Sequence, residues 1–122
     1  MNKEKTNERV KTLLEKLQKA WCKETAHPAY QEKWSEDNPA IGQCAVTALI
    51  VQEKLGGDIM ACKVGRSSHF VNVIDGAIVD LTLSQFGENA KYVDNSFQYR
   101  TAKSLLKNKD VRERYEILKS RM

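Results

Sequence analysis

The residues of this chain best suited to covalent chemistry are a cysteine, a histidine and an aspartate, in that order: Cys44, His69 and Asp80. Cys44 begins the apolar run Cys44-Ala45-Val46-Thr47-Ala48-Leu49-Ile50-Val51, directly after the punctuation of Pro39 and Gly42. A thiol at a helix start meets free N–H groups and the positive end of the helix dipole, both of which favour the thiolate. A thiolate attacks carbonyl carbon, an imidazole takes its proton and later returns one to the leaving group, and a carboxylate holds the imidazole in the right tautomer. The Cys44 backbone N–H, with a side-chain amide from Asn38 or Gln43, is the candidate oxyanion hole, and Trp34 is a candidate wall of the cleft. Taken singly, each of the three has an ordinary explanation: a small core thiol, a surface histidine, a turn-forming aspartate. Their order and their predicted face lift the triad above those readings.

The elements that must position these groups follow from periodicity. Val10, Leu13, Leu14, Leu17, Ala20 and Trp21 recur at helical spacing among lysines and glutamates, predicting an amphipathic helix over 4–21. Residues 22–43 break that period at His27-Pro28, Trp34-Ser35 and Asn38-Pro39 and read as an ordered loop with room for one short helical turn. Residues 43–55 predict a buried helix, stopped by Gly56-Gly57. Three strand-like runs follow at 59–64, 69–74 and 77–81. Residues 87–99 mix Asn, Asp, Ser and aromatics and read as an irregular surface segment. A short helix follows Arg100 or Thr101, and a last helix begins near Asp110.

Asp75-Gly76 is a strong two-residue hairpin signal, and it sets a geometric test. If these two form the loop, Ile74 pairs with Ala77, Val71 faces Asp80 and His69 faces Thr82. Alternation then puts His69, Val71, Val73, Ile78 and Asp80 on one face, with His69 and Asp80 as diagonal neighbours roughly 7 Å apart. A slip of one residue separates them.

Composition narrows the rest. The chain of 122 residues is 41% apolar and 30% charged, which predicts one ordinary globular domain over 1–122. No run approaches the roughly 18 apolar residues of a membrane span, and the charged N-terminal stretch lacks the apolar centre of a signal peptide, so the expected location is the cytoplasm. Three cysteines, Cys22, Cys44 and Cys62, suit free thiols in a reducing compartment. Residues 1–20 carry six basic and three acidic side chains, residues 100–122 eight and three, and the middle six and ten. The basic ends read as solvated helix faces; a nucleic-acid reader gathers basic and aromatic residues around its site, so nucleic acid is not the expected partner. Cys22, His27, Cys44, Cys62 and His69 could ligate a metal, but none stands at metal-site spacing, and no phosphate-binding glycine loop is present. No cofactor is expected.

Trp34-Ser35, Asn38-Pro39-Ala40, Gly42-Gln43-Cys44-Ala45-Val46-Thr47-Ala48, Gly56-Gly57, His69-Phe70-Val71-Asn72 and Asp80-Leu81-Thr82 with Gln85-Phe86 resemble the YunG-like family of small bacterial proteins of unassigned function. The resemblance runs over about residues 21–90, without the terminal helices. It is similar in turn to the papain-like and transglutaminase-like thiol superfamily, and so implies Cys44 as nucleophile, His69 as base and Asp80 as orienting acid. Asn38, six residues before the cysteine, stands where papain-like enzymes place an oxyanion-hole glutamine. The implied fold is α+β: a small antiparallel sheet packed against a helix bearing the cysteine at its N-terminus, flanked by terminal helices. The expected activity is a thiol hydrolase or acyltransferase acting on a small amide or ester, or on one protein side chain. The rivals are an inactive binding module with a closed Cys44, and a nucleic-acid accessory protein.

Overall fold

A computed structural model describes residues 3–122. Helix α1, Lys3–Ala20, presents Leu13, Leu17 and Ala20 to the interior, as its apolar stripe requires. Helix α2, Cys44–Leu55, is buried continuously from Ala45 to Val51. It contains Val, Thr and Ile, which are indifferent helix formers. Packing therefore holds it, each buried aliphatic side chain contributing roughly 1.5–3 kcal/mol. Its neighbours are α1, the sheet, and helix α4, Lys109–Ser120, which contributes Val111, Tyr115 and Leu118 to the same core. The Trp21 indole N–H donates to Thr47 Oγ1 at 2.9 Å, and the Tyr115 hydroxyl to Glu53 Oε1 at 2.9 Å, so these polar groups carried into the core are paired.

The sheet has four antiparallel strands in the order β3-β2-β1-β4: β1 Asp58–Val64, β2 Ser67–Ile74, β3 Ala77–Val79 and β4 Gln98–Arg100. Asp75 and Gly76 both take positive φ, 52° and 80°, as a two-residue turn matched to strand twist demands. The register is the expected one: Ile74 pairs with Ala77, Val73 with Ile78, Asn72 with Val79. Asn72 also ties the sheet to α2, its side-chain amide donating to the Ala48 carbonyl at 3.0 Å. Gly56 caps α2, and Gly57 after it, at φ 79°, stands where any side chain would strike the Val73 carbonyl, since a Cβ there would lie 2.3 Å from that oxygen.

Several expectations need correction. Strand β3 ends at Val79, so Asp80 lies just beyond it, on the face that alternation assigns. The 22–43 loop holds two 3-10 turns, Lys23–Thr25 and Pro28–Lys33, the second capped by His27 Nδ1, which accepts from the Ala29 N–H. The largest departure is 87–99. Tyr92 forms a bridge with Val64, the Val93 N–H donates to the Lys63 carbonyl, and the segment runs into β4, a fourth strand against β1. Local composition hid this because the pairing is entirely nonlocal. Helix α3, Ala102–Leu106, and α4 start where Thr101 and Asn108 cap them, close to the expected positions.

Candidate active site

The hairpin brings His69 and Asp80 together: imidazole Nε2 donates to Asp80 Oδ2 at 2.7 Å. The carboxylate is fully engaged. The Tyr92 hydroxyl donates to the same Oδ2 at 2.7 Å, and the Thr82 N–H and hydroxyl reach Oδ1 at 3.1 and 3.4 Å. Asp80 is thus both the turn former its position suggests and the partner of the imidazole. His69 is wholly buried, with Phe86 packed edge-on at 5.0 Å between ring centres.

With Nε2 given to Asp80, the other ring nitrogen is left for chemistry. Nδ1 is buried and has no hydrogen-bond partner of normal geometry among the described residues. The Cys44 sulfur is nevertheless near enough to bias the ring. Burial pulls the imidazole's proton affinity down, but hydrogen bonding and charge from Asp80 and Cys44 outweigh it and raise the pKa to about 9. The His69 ring is therefore an imidazolium at neutral pH, its charge set between a carboxylate on one side and a thiol on the other. Cys62, paired with His69 across the sheet, is pushed the opposite way from reactivity: burial first, then the nearby Asp80 and Cys44, raise its thiol to about 11. The Tyr92 hydroxyl is likewise driven up, by burial and by Asp80.

Cys44 is partly exposed and lines a cavity of about 600 Å³ together with Tyr30, Phe70, Gln85 and Phe86. A cavity of about 660 Å³ between α1, α2 and α4 is lined by none of Cys44, His69 and Asp80 and has no cysteine, serine or histidine in its wall. The loop before Cys44 is held by Gly42, whose φ of 71° and close approach to His27 exclude a side chain. Its N–H donates to Gln85 Oε1 at 3.1 Å, and its carbonyl accepts from the His27 N–H at 2.8 Å.

The residues expected around the oxyanion are occupied elsewhere. Gln43 is buried, its amide donating to the Cys22 carbonyl at 3.0 Å, because it caps the junction between α2 and the preceding loop. Asn38 Nδ2 donates to the Gln85 carbonyl at 3.4 Å. The Trp34 indole donates to the Pro39 carbonyl at 3.0 Å and so pins its own loop. None of the three borders the cavity. Two neighbours of the triad were not among those expected from the sequence: Tyr92, which bonds Asp80, and Gln85, which borders the Cys44 cavity. Gln85 stood three residues after Thr82 within a quoted motif, which was a usable signal; Tyr92 had none. Among the described residues no three of His, Cys, Asp and Glu gather as a metal-binding group, and no helix is long and apolar enough to cross a membrane.

The family model described as YunG protein matches residues 9–122. The chain belongs to the YunG family. The match takes in α1 from Arg9 onward and all of α4, well beyond the 21–90 segment that carried the resemblance. A curated relative, the uncharacterized protein YunG of Bacillus subtilis strain 168, is 38% identical over 76 residues, 62% of this chain. The aligned part also spans 62% of that YunG's length. No solved structure matches the chain significantly.

Proposed function

We propose that this YunG-family protein is a thiol-dependent hydrolase or acyltransferase acting on an amide or ester through an acyl-enzyme on Cys44. The observation that carries the reading is the division of labour in the triad. The carboxylate and imidazole side chains are buried and hydrogen-bonded at 2.7 Å, while of the three only the Cys44 thiol borders the cavity of about 600 Å³. A core cysteine needs no such partners, whereas a buried His–Asp pair beside a partly exposed thiol is the arrangement that nucleophile activation uses. In the reaction, the Cys44 S–H proton is held by His69 Nδ1, and the thiolate Sγ so formed bonds to the carbonyl carbon as the C=O π pair moves onto oxygen. The intermediate collapses with cleavage of the C–N or C–O bond, and His69 Nδ1 delivers its proton to the leaving group. Water, or another nucleophile, then releases the acyl group with His69 as base. Asp80 holds the ring throughout.

The order Cys, His, Asp on helix start and hairpin, and the α+β frame around it, support a relationship to the papain-like thiol enzymes. The cavity's volume suits a small amide or one protein side chain better than an extended peptide. Three free cysteines favour a reducing compartment, the cytoplasm. Alkylation with iodoacetamide at pH 7, mapped by peptide mass, tests the proposal. Cys44 is expected to react at least tenfold faster than Cys22 or Cys62, and His69→Ala to abolish the advantage. Equal rates, or indifference to His69→Ala, refute it and leave a binding module with an unremarkable thiol.

A further inference from the structure

We infer that Gln85 supplies the side-chain donor of the oxyanion hole, with the Cys44 backbone N–H as its companion. This rests on the thiol-enzyme reading and deepens it.

Gln85 carries an unpaired donor beside the nucleophile. Its Oε1 accepts from the Gly42 N–H at 3.1 Å, which fixes which end of the amide is which. Nε2 is then left buried, without a hydrogen-bond partner among the described residues. A buried amide donor left unpaired carries its full desolvation penalty, and a ligand that accepts from it relieves that penalty. The residue borders the same cavity as Cys44 and Gly42, two positions before it in the chain. Its backbone carbonyl receives the Asn38 amide, so the residue nearest the usual oxyanion position supports Gln85 instead of facing the cavity.

The same short turn, Leu83–Phe86, also seats Phe86 against His69 and follows the Thr82 contacts to Asp80. Gln85 is thereby rigidly related to the base and acid. The first N–H groups of α2 have no helical carbonyl to bond, and the Cys44 N–H is among them. An oxygen acquiring negative charge next to Cys44 Sγ would be met by that N–H and by Nε2. The terminal amide torsion of glutamine is soft, so a small turn of the whole amide brings Nε2 towards a seated substrate, with Oε1 shifting by as much against the Gly42 N–H; hydrogen bonds of this kind tighten when the substrate binds.

The distinguishing property of an oxyanion hole is that it serves attack at a carbonyl and not displacement at saturated carbon. The test compares acylation of Cys44 by p-nitrophenyl acetate, followed by the p-nitrophenolate burst, with alkylation by iodoacetamide. Rates are taken at their plateaus across pH in wild type, Gln85→Glu and Gln85→Met. Both variants remove the donor; the first keeps the oxygen that holds Gly42. The expected result is an acylation rate lower by about 10²-fold in both variants, with alkylation within about threefold of wild type. Unchanged acylation overturns the assignment, and so does an equal fall in both reactions, which would make Gln85 a support of the loop alone. A wild-type Cys44 that neither acylates nor alkylates faster than Cys22 refutes the thiol-enzyme reading, and the assignment with it.

Discussion

The charge on His69 is the most exposed quantity in the site, and Asp80→Asn is the change that interrogates it. Asparagine preserves the size and a hydrogen-bonding oxygen but removes the negative charge 2.7 Å from Nε2. In the native protein burial is the largest influence on the ring and lowers its pKa; Asp80 and Cys44 together reverse that and hold it at about 9. Without the carboxylate, burial is opposed by Cys44 alone, and the pKa should return to about 6.5 or below. At pH 7 the ratio of imidazolium to imidazole then falls from about 100:1 to about 1:3 or less. Alkylation of Cys44 that depends on the imidazolium should fall at least about fourfold at that pH. The direct assay is a ¹H–¹³C NMR titration of the imidazole Cε1 signals. The chain has only two histidines, so His69 is assigned by comparison with His27→Gln. A wild-type His69 that titrates at 6.5 or lower, or an Asp80→Asn shift below half a unit, would refute the electrostatic account.

The same pKa makes a prediction about folding. His69 is held above its unfolded value, so its contribution to stability is fully present below pH 6.5 and lost as pH rises towards about 9. A displacement from 6.5 to about 9 corresponds to about 3 kcal/mol. Urea denaturation should show that loss between pH 6.5 and 9.5 in wild type and a much flatter profile in Asp80→Asn; matching profiles would contradict it. Tyr92→Phe removes one donor from Asp80 Oδ2 and leaves the His69 and Thr82 bonds in place. It should cost about 1–2 kcal/mol and lower Tm by several degrees, measured by circular dichroism. A Tm within a degree of wild type would mean that this hydroxyl does not hold the carboxylate in solution.

How much of this could be read along the chain depends on how local the cause is. Asp75 and Gly76 dictate a tight turn through their own backbone preferences, so the register of the hairpin, and with it the meeting of His69 and Asp80, was legible before any coordinates. The long apolar run from Cys44 likewise declared a buried helix, and the stripe of α1 a half-buried one. The oxyanion candidates fared differently. Asn38 and Gln43 lie near Cys44 in the chain, but their amides are drawn to Gln85 and Cys22 by the way the loop folds over.

Residue order alone set α1, α2, the hairpin turn and the face shared by His69 and Asp80, because those follow from periods of two and 3.6 residues and from the backbone preferences of single positions. The reach of Tyr92 to Asp80, the added strand β4, and the place of Gln85 in the wall of the Cys44 cavity with a nitrogen to spare came from the assembled fold. These contacts join segments 12 to 43 residues apart. Their energy comes from burial and hydrogen bonds completed when the whole core closes, and no local pattern records it.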